Sequence, residues 1–304
     1  MDLSFLHYDV FTSEPLVGNQ LAVFTDARSI DSRLMQAIAR EMNFSESTFI
    51  LPAERPDTDV RMRIFTPGEE MPMAGHPTIG STFALADTGA IAPGTARVVF
   101  GLNVGPIPVD LEWRGTRLRF AWMTQGAPEF GPVVAARAAV ASALGLDGCD
   151  LADGLPVQQV SCGTPFLLVP LRDRATVDRA MSDAAALRRL KADHGIDRPI
   201  FLFAVDDRVP SDPACTVYSR MFAPSFGISE DPATGSASGP LGCYLVQHNI
   251  VSGHAAQHIV SLQGIAMGRA SRISVAIDGV PDAITRVRVG GEAVLVGRGE
   301  LLGI

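Results

Sequence analysis

Alternating apolar and polar side chains over residues 3–11, then the β-rich run QLAVFT at 20–25, predict two strands joined by a turn that holds Pro15 and Gly18. Asn19 stands at the entry of the second strand. Asp31 is placed to cap a helix running to about Met42, because Leu34, Met35, Ile38 and Met42 keep the three-to-four spacing of one buried face, and Asn43 ends it. NFSESTFIL and VRMRIF read as two strands, the loop GEEMPMAGHP follows, and a helix is predicted from Pro77 to about Asp87. Proline suits a first helical position, where its missing N–H has no helical partner. Strands are predicted at about 97–102, 106–113 and 117–123. Gly126 to Pro132 reads as a linker between an N-terminal lobe, 1–125, and a C-terminal lobe, 126–304, whose last strand is free to pack on the first. Beyond it the pattern predicts a helix at 133–145, strands at 157–161 and 165–170, a helical stretch at 173–194, strands at 200–205 and 214–222, the Asp231 loop, a helix to about His248, and closing strands.

The second half echoes the first. Arg63, Phe65 and Pro67 match Arg220, Phe222 and Pro224, and each set leads through acidic residues to a glycine loop that opens into an apolar helix. Gly75 lies eight residues after Pro67 and Gly235 eleven after Pro224, so the second loop is three residues longer. The stretch at 173–194 and the strand at 200–205 find no counterpart and read as an insertion. Strands around one long helix in each half predict an α+β fold of two pseudo-symmetric lobes, with the glycine loops facing a cleft between them. The first N–H groups of each helix lack internal partners and the helix dipole adds positive charge there, so each loop suits an anion.

Composition narrows the function classes. The chain has 304 residues, 47% of them hydrophobic, enough for two domains with their own cores. Its 33 acidic against 25 basic residues, without a basic run, argue against a nucleic-acid surface. Cys149, Cys162, Cys215 and Cys243 lack the close pairing of zinc or redox motifs, and their sparseness suits a reducing cytoplasm, where buried thiols are expected. MDLSFLHYDV carries neither the basic nor the long apolar region of a secretory signal. Pro232 to Gly268 contains no Asp, Glu, Lys or Arg, yet Gly239, Pro240, Asn249 and Gly253 break it, so burial in the protein rather than a membrane span is expected. His254 and His258, with His248 nearby, have metal-ligand spacing only on a helix, whereas a turn entering a strand is predicted. No glycine loop has dinucleotide-binding spacing, so neither metal nor organic cofactor is expected.

Gly18-Asn19 before a strand, NFSESTF with Glu46, AGHPTIG at 74–80, EDPATGSASGP at 230–240 and QGIAMGR at 263–269 occur in order over nearly the whole chain. Together they resemble the PhzF family of phenazine-biosynthesis isomerases. That resemblance implies a fold similar to diaminopimelate epimerase and proline racemase, each lobe a β-sheet wrapped around a central helix, and it implies a homodimer. It further implies Glu46 as the catalytic carboxylate, His76 and Asp231 as catalytic partners, Gly75 and Gly235 as backbone donors, Ser236 as a further donor to a bound carboxylate, and Asn19 and Ser45 as substrate-binding neighbours. Gln20 departs from the family, many of whose members carry proline there. The racemases place a cysteine before each loop glycine, and this chain has Ala74 and Thr234, which disfavours racemisation by two thiols.

Glu46 is followed by Ser47 and Thr48 and then the apolar Phe49, Ile50 and Leu51, so its carboxylate is expected at the edge of an apolar wall, where burial disfavours charge and tunes it for acid and base work. A 1,3-proton shift needs one base on one face, whereas inversion at one carbon usually needs two groups on opposite faces. Read singly, His76 also fits a histidine bonding the backbone at a helix start, Asp231 a cap or an arginine partner, and Ser236 a first-turn residue. The expectation is a cofactor-independent isomerase acting on a small conjugated or cyclic carboxylate, 2,3-dihydro-3-hydroxyanthranilate being the substrate the family name implies. An epimerase, racemase or lyase on the same scaffold and a non-catalytic small-acid-binding protein are the alternatives.

Overall fold

The computed structural model describes residues 2–205, 216–224 and 227–304. The fold is α+β, and the chain divides into two compact units, Met1–Thr124 with Arg288–Ile304, and Gln125–Val287. In chain order the first contains β1 (Leu3–Val10), β2 (Asn19–Phe24), α1 (Ser32–Met42), β3 (Glu46–Pro52), β4 (Val60–Phe65), β5 (Glu70–Met71), α2 (Gly75–Asp87), β6 (Arg97–Leu102), β7 (Gly105–Arg114) and β8 (Arg117–Gln125). The second contains β9 (Glu129–Val133), α3 (Arg137–Ala143), β10 (Gln158–Ser161), β11 (Pro165–Pro170), α4 (Arg174–Arg179), α5 (Ala184–His194), β12 (Ile200–Val205), β13 (Val217–Ala223), β14 (Ile228–Asp231), α6 (Gly235–Gln247), β15 (Ile259–Gln263) and β16 (Ser271–Val280). The chain returns to the first unit within β17 (Ala283–Gly291), and β18 (Ala293–Leu301) pairs antiparallel with β1, Leu3 opposite Leu301.

Local chemistry sets the element ends. Asp31 accepts from the Leu34 N–H at 2.9 Å to start α1, Met35 and Ile38 are buried, Leu34 and Met42 pack partly buried against the same core, and Asn43 ends the helix in a left-handed conformation, φ 54°. That core stacks Phe24 on Phe49 at 4.9 Å, with Phe65 edge-on to Phe49. The second unit buries Val140, Leu144, Leu167, Leu202 and Tyr218 in its own cluster.

Strand register makes the internal repeat explicit. In the first unit β1 and β2 pair antiparallel, β2 and β3 parallel across α1, β3 and β4 antiparallel, β4 and β6 parallel across α2, and β6 and β7 antiparallel. In the second, β10 and β11, β11 and β12, β12 and β13, β13 and β15, and β15 and β16 follow the same alternation. Parallel neighbours require a crossover, usually helical. The segment 173–205 is therefore not an insertion: α4, α5 and β12 are the counterparts of α1 and β3. That crossover is two helices rather than one, because Ala180 leaves the helical region and Asp183 caps a new start by accepting from the Ala185 and Ala186 N–H groups.

Other boundaries shift for physical reasons. α2 begins at Gly75, so Pro77 lies third in the first turn, where an N–H also has no helical acceptor. The Gly126 to Pro132 stretch contains most of β9, and the helix expected at 133–145 is confined to α3. α2 and α6 are buried on almost every side, which is the environment of a helix apolar all round. Among the described residues no helix is long and apolar enough to cross a membrane. Cys162 and Cys243 are buried with their sulfurs 3.8 Å apart, Cys149 is exposed rather than buried, and Cys215 lies outside the described residues.

Candidate active site

In the first unit three elements converge on one polar cluster. Gly18, at φ +76°, makes the turn into β2, and a Cβ there would lie 2.5 Å from the Val10 carbonyl oxygen and from the Thr12 methyl, so glycine is required. The turn delivers Asn19, which is 1% exposed, with its Nδ2 3.2 Å from His76 Nδ1. β3 lies parallel beside β2 with Glu46 opposite Leu21, which places Glu46 at the same end of the sheet as Asn19. α2 contributes His76 from its first turn, and His76 Nε2 lies 3.4 Å from Glu46 Oε2. This contact is longer than a charge-assisted hydrogen bond, about 2.7–2.9 Å, and Nε2 makes no hydrogen bond among the described residues. The Glu46 side chain is 12% exposed and that of His76 4%. Burial pushes the His76 imidazole down to about 3, opposed in part by a backbone hydrogen bond with Gln20, so the ring is neutral at physiological pH. Ser45 immediately precedes β3 and is half-buried, and Gly75 is the first residue of α2.

The second unit builds a different cluster at the matching place. Asp231 is the last residue of β14, not a loop residue, and is paired with Met221 on β13. The Thr234 hydroxyl donates to Asp231 Oδ2 at 2.6 Å, and fully buried Gln263, the last residue of β15, bonds both the Thr234 backbone N–H and the Asp231 carbonyl. Gly235 begins α6, and half-buried Ser236 follows it in the first turn. Neither helix is capped by its N-cap side chain: Ala74 has none to offer, and Thr234 turns its hydroxyl to Asp231. Both first turns retain N–H groups suited to an anion.

The repeated Arg-x-Phe-x-Pro motif holds the strands before each helix. Arg63 makes a bidentate bond to Glu70 at 2.8 and 2.6 Å, linking β4 to β5, and Arg220 does the same to Glu230 at 2.8 Å twice, linking β13 to β14. Each guanidinium also lies over the phenylalanine two residues on, at 5.1 and 4.7 Å. These arginines are thus committed to the scaffold.

The candidate residues therefore fall into two sets, Asn19, Ser45, Glu46, Gly75 and His76 in the first unit, and Asp231, Gly235 and Ser236 in the second. Sequence reasoning assigned no role to Thr234 or Gln263. A fully buried glutamine bonding a segment about thirty residues away leaves no spacing signature, though Gln263 heads the QGIAMGR motif. His254 and His258 are exposed, their rings 4.3 Å apart, on a short 3-10 turn that runs into β15, and no cluster of three or more potential metal ligands occurs among the described residues.

Comparison with known proteins places this geometry in context. Residues 8–299 match the family described as phenazine biosynthesis-like protein. The chain is 35% identical over 292 residues to trans-2,3-dihydro-3-hydroxyanthranilate isomerase of Pseudomonas aeruginosa, covering 96% of each chain. It is 33% identical over 297 residues to an uncharacterized isomerase of Clostridium acetobutylicum, covering 97% of this chain and 96% of that one. The crystal structure of a PhzF-family phenazine biosynthesis protein from Bacillus anthracis superposes with a TM-score of 0.86 at 27% identity, covering 99% of both chains.

Proposed function

Because this chain belongs to the PhzF family of phenazine biosynthesis-like isomerases, we propose that it moves a proton between two carbons of one small conjugated or cyclic carboxylate, with Glu46 as the proton carrier and without metal or organic cofactor. The observation that supports this most is the approach of Glu46 Oε2 to a neutral, buried His76 Nε2 at 3.4 Å. A neutral imidazole has one bare and one hydrogen-bearing nitrogen. With hydrogen on Nε2 it faces a Glu46 carboxylate, and with Nε2 bare it faces a Glu46 carboxylic acid. In either tautomer the neutral ring can therefore lie beside Glu46, accepting from the acid or donating to the carboxylate, without placing a full positive charge in the site.

The remaining roles follow from charge. Removing a proton next to a conjugated carboxylate spreads negative charge over an enolate-like system, and donors aimed at that charge act most strongly where water is excluded. The first-turn N–H groups of α2 at Gly75 in the first unit, and those of α6 at Gly235 with the Ser236 hydroxyl in the second, are each suited to an anionic oxygen. Asn19 fixes the His76 ring, and Asp231 serves as an acid group of the second unit. Thiol racemisation finds no support, since Ala74 and Thr234 stand before the two glycines.

The reading is tested with trans-2,3-dihydro-3-hydroxyanthranilate in deuterated water, after exhaustive chelation and dialysis of the protein. The expected product carries solvent deuterium at the carbon that gains the proton. Label confined to the original carbon indicates an epimerase, and bound but unlabelled, unconverted ligand indicates a binding protein. Either result, or turnover that returns only with added metal, overturns the proposal.

A further inference from the structure

The hydrogen bonds behind Asp231 have a direction that can be worked out donor by donor. The Thr234 backbone N–H can only donate, so the Gln263 side-chain atom 3.0 Å away is its carbonyl oxygen, Oε1. That orients the amide and turns Nε2 to the other side, where its two hydrogens go to the Asp231 carbonyl oxygen at 2.8 Å and to Thr234 Oγ1 at 3.0 Å. Thr234 Oγ1 is thereby an acceptor from Gln263. Its own hydrogen goes to Asp231 Oδ2, 2.6 Å away, the remaining side-chain acceptor bonded to Oγ1 among the described residues. All three members of the chain are at least nine-tenths buried: Gln263 at 0% exposed, Thr234 at 5% and Asp231 at 6% leave little solvent to reverse it.

Thr234 also forgoes the usual use of a threonine at an N-cap. Its hydroxyl makes no bond to the first-turn N–H groups of α6, although such a cap would stabilise the helix start. The hydroxyl is turned towards a carboxylate instead.

We infer that Gln263 and Thr234 are positioning residues that lock Asp231 Oδ2 as a hydrogen-bond acceptor, so that the other oxygen, Oδ1, is the one that takes up and gives back a proton. The relay acts on Asp231 and not on substrate. Its catalytic consequence rests on the role proposed above for Asp231, whereas the direction of the bonds does not.

Two measurements separate the two claims. In turnover of trans-2,3-dihydro-3-hydroxyanthranilate, Thr234→Val is expected to lower kcat about ten-fold with KM within about two-fold, the scale of one lost hydrogen bond to a charged group, and Thr234→Ser restores it. In protein labelled with 13C-aspartate, the inflection of the Asp231 Cγ resonance with pH moves upward by about one unit in Thr234→Val, because the donor favouring the charged carboxylate is gone. Thr234→Ser keeps the parent inflection, and Asp231→Asn assigns the resonance. Thr234→Ala repeats both readings with a smaller side chain should the valine variant fail to fold. If the parent does not turn over this substrate but the resonance moves as stated, the functional proposal fails and the relay stands. An unmoved inflection in a folded Thr234→Val or Thr234→Ala protein, or a serine variant that behaves like valine, overturns the relay.

Discussion

At the start of α2 the N-cap is Ala74 and the residue after the glycine is His76, whereas at the start of α6 the same positions hold Thr234 and Ser236. Helix length is shared, 13 residues in each, and so is one polar contact of the first turn: Thr78 donates to the Ala74 carbonyl at 2.8 Å and Ser238 to the Thr234 carbonyl at 2.9 Å. The acid reaches each helix start differently. Glu46 comes from a parallel neighbour strand and faces an imidazole, while Asp231 comes from the strand just before the loop and is held by a hydroxyl and an amide. A duplicated scaffold has thus kept two helix starts without a side-chain cap and diverged in what lies beside them, a carboxylate facing a neutral histidine in one unit and an acid held by a hydroxyl and an amide in the other.

The arginine clamps sharpen this comparison most strongly. Arg220 donates to Glu230 and also to the carbonyls of Val177, Asp178 and Ala180, with its side chain 10% exposed, whereas Arg63, 19% exposed, adds among the described residues a bond to Ser32 to its Glu70 pair. Arg220→Ala leaves a half-buried carboxylate and three carbonyls without that donor and is expected to cost about 3 kcal/mol in denaturant unfolding. Arg63→Ala should cost about 1–2 kcal/mol, by loss of a half-exposed charged hydrogen bond. Equal losses would mean that the second clamp is no more embedded than the first.

A smaller effect is expected on α6 itself. Where α2 has buried Ile79, α6 has Gly239, and a Cβ there would lie 1.9 Å from Gln125 Oε1 and 3.0 Å from a Val287 methyl. Gly239→Ala must displace the Gln125 amide from its 2.9 Å bond to the Gly235 carbonyl, a cost of about 1–3 kcal/mol. An unchanged unfolding midpoint would show that the amide moves freely.

A further effect is expected in pH dependence. Burial lowers the His76 value from 6.5 to about 3, so the unfolded chain binds the proton that the folded chain excludes. The contribution of His76 is fully present above about pH 6.5 and is lost progressively as pH falls towards 3. Unfolding measured from pH 7 to 4 should lose less stability in His76→Gln than in the parent, and equal slopes would remove this term.

Much of this architecture was legible from local signals. The Asp31 cap, the Asn43 stop and the spacing of Met35 and Ile38 act over a few residues, so α1 could be read directly, and Arg63 and Arg220 marked the repeat. The second crossover was missed because its counterpart is longer and split by the Asp183 cap, which breaks the periodicity that identifies α1. Pro77 suggested too late a start for α2, since proline is tolerated anywhere in a first turn. In the site, the residue types followed from motifs, but the contact between Glu46 and His76 arises because β3 and the start of α2 both adjoin the entry of β2. No spacing encodes that, and Gln263 was overlooked for the same reason.

The central claim is that Glu46 carries the proton, and single-turnover conversion of trans-2,3-dihydro-3-hydroxyanthranilate in deuterated water by the parent, Glu46→Gln and Glu46→Asp tests it most directly. Glutamine keeps the shape and removes the titrating group, so binding should persist while conversion and deuterium incorporation fall together by about 10²–10⁴. Aspartate keeps the acid but withdraws it by one methylene, and should fall between the two. A Glu46→Gln protein that exchanges and isomerises at the parent rate would contradict the account and pass the role of base to Asp231 or His76.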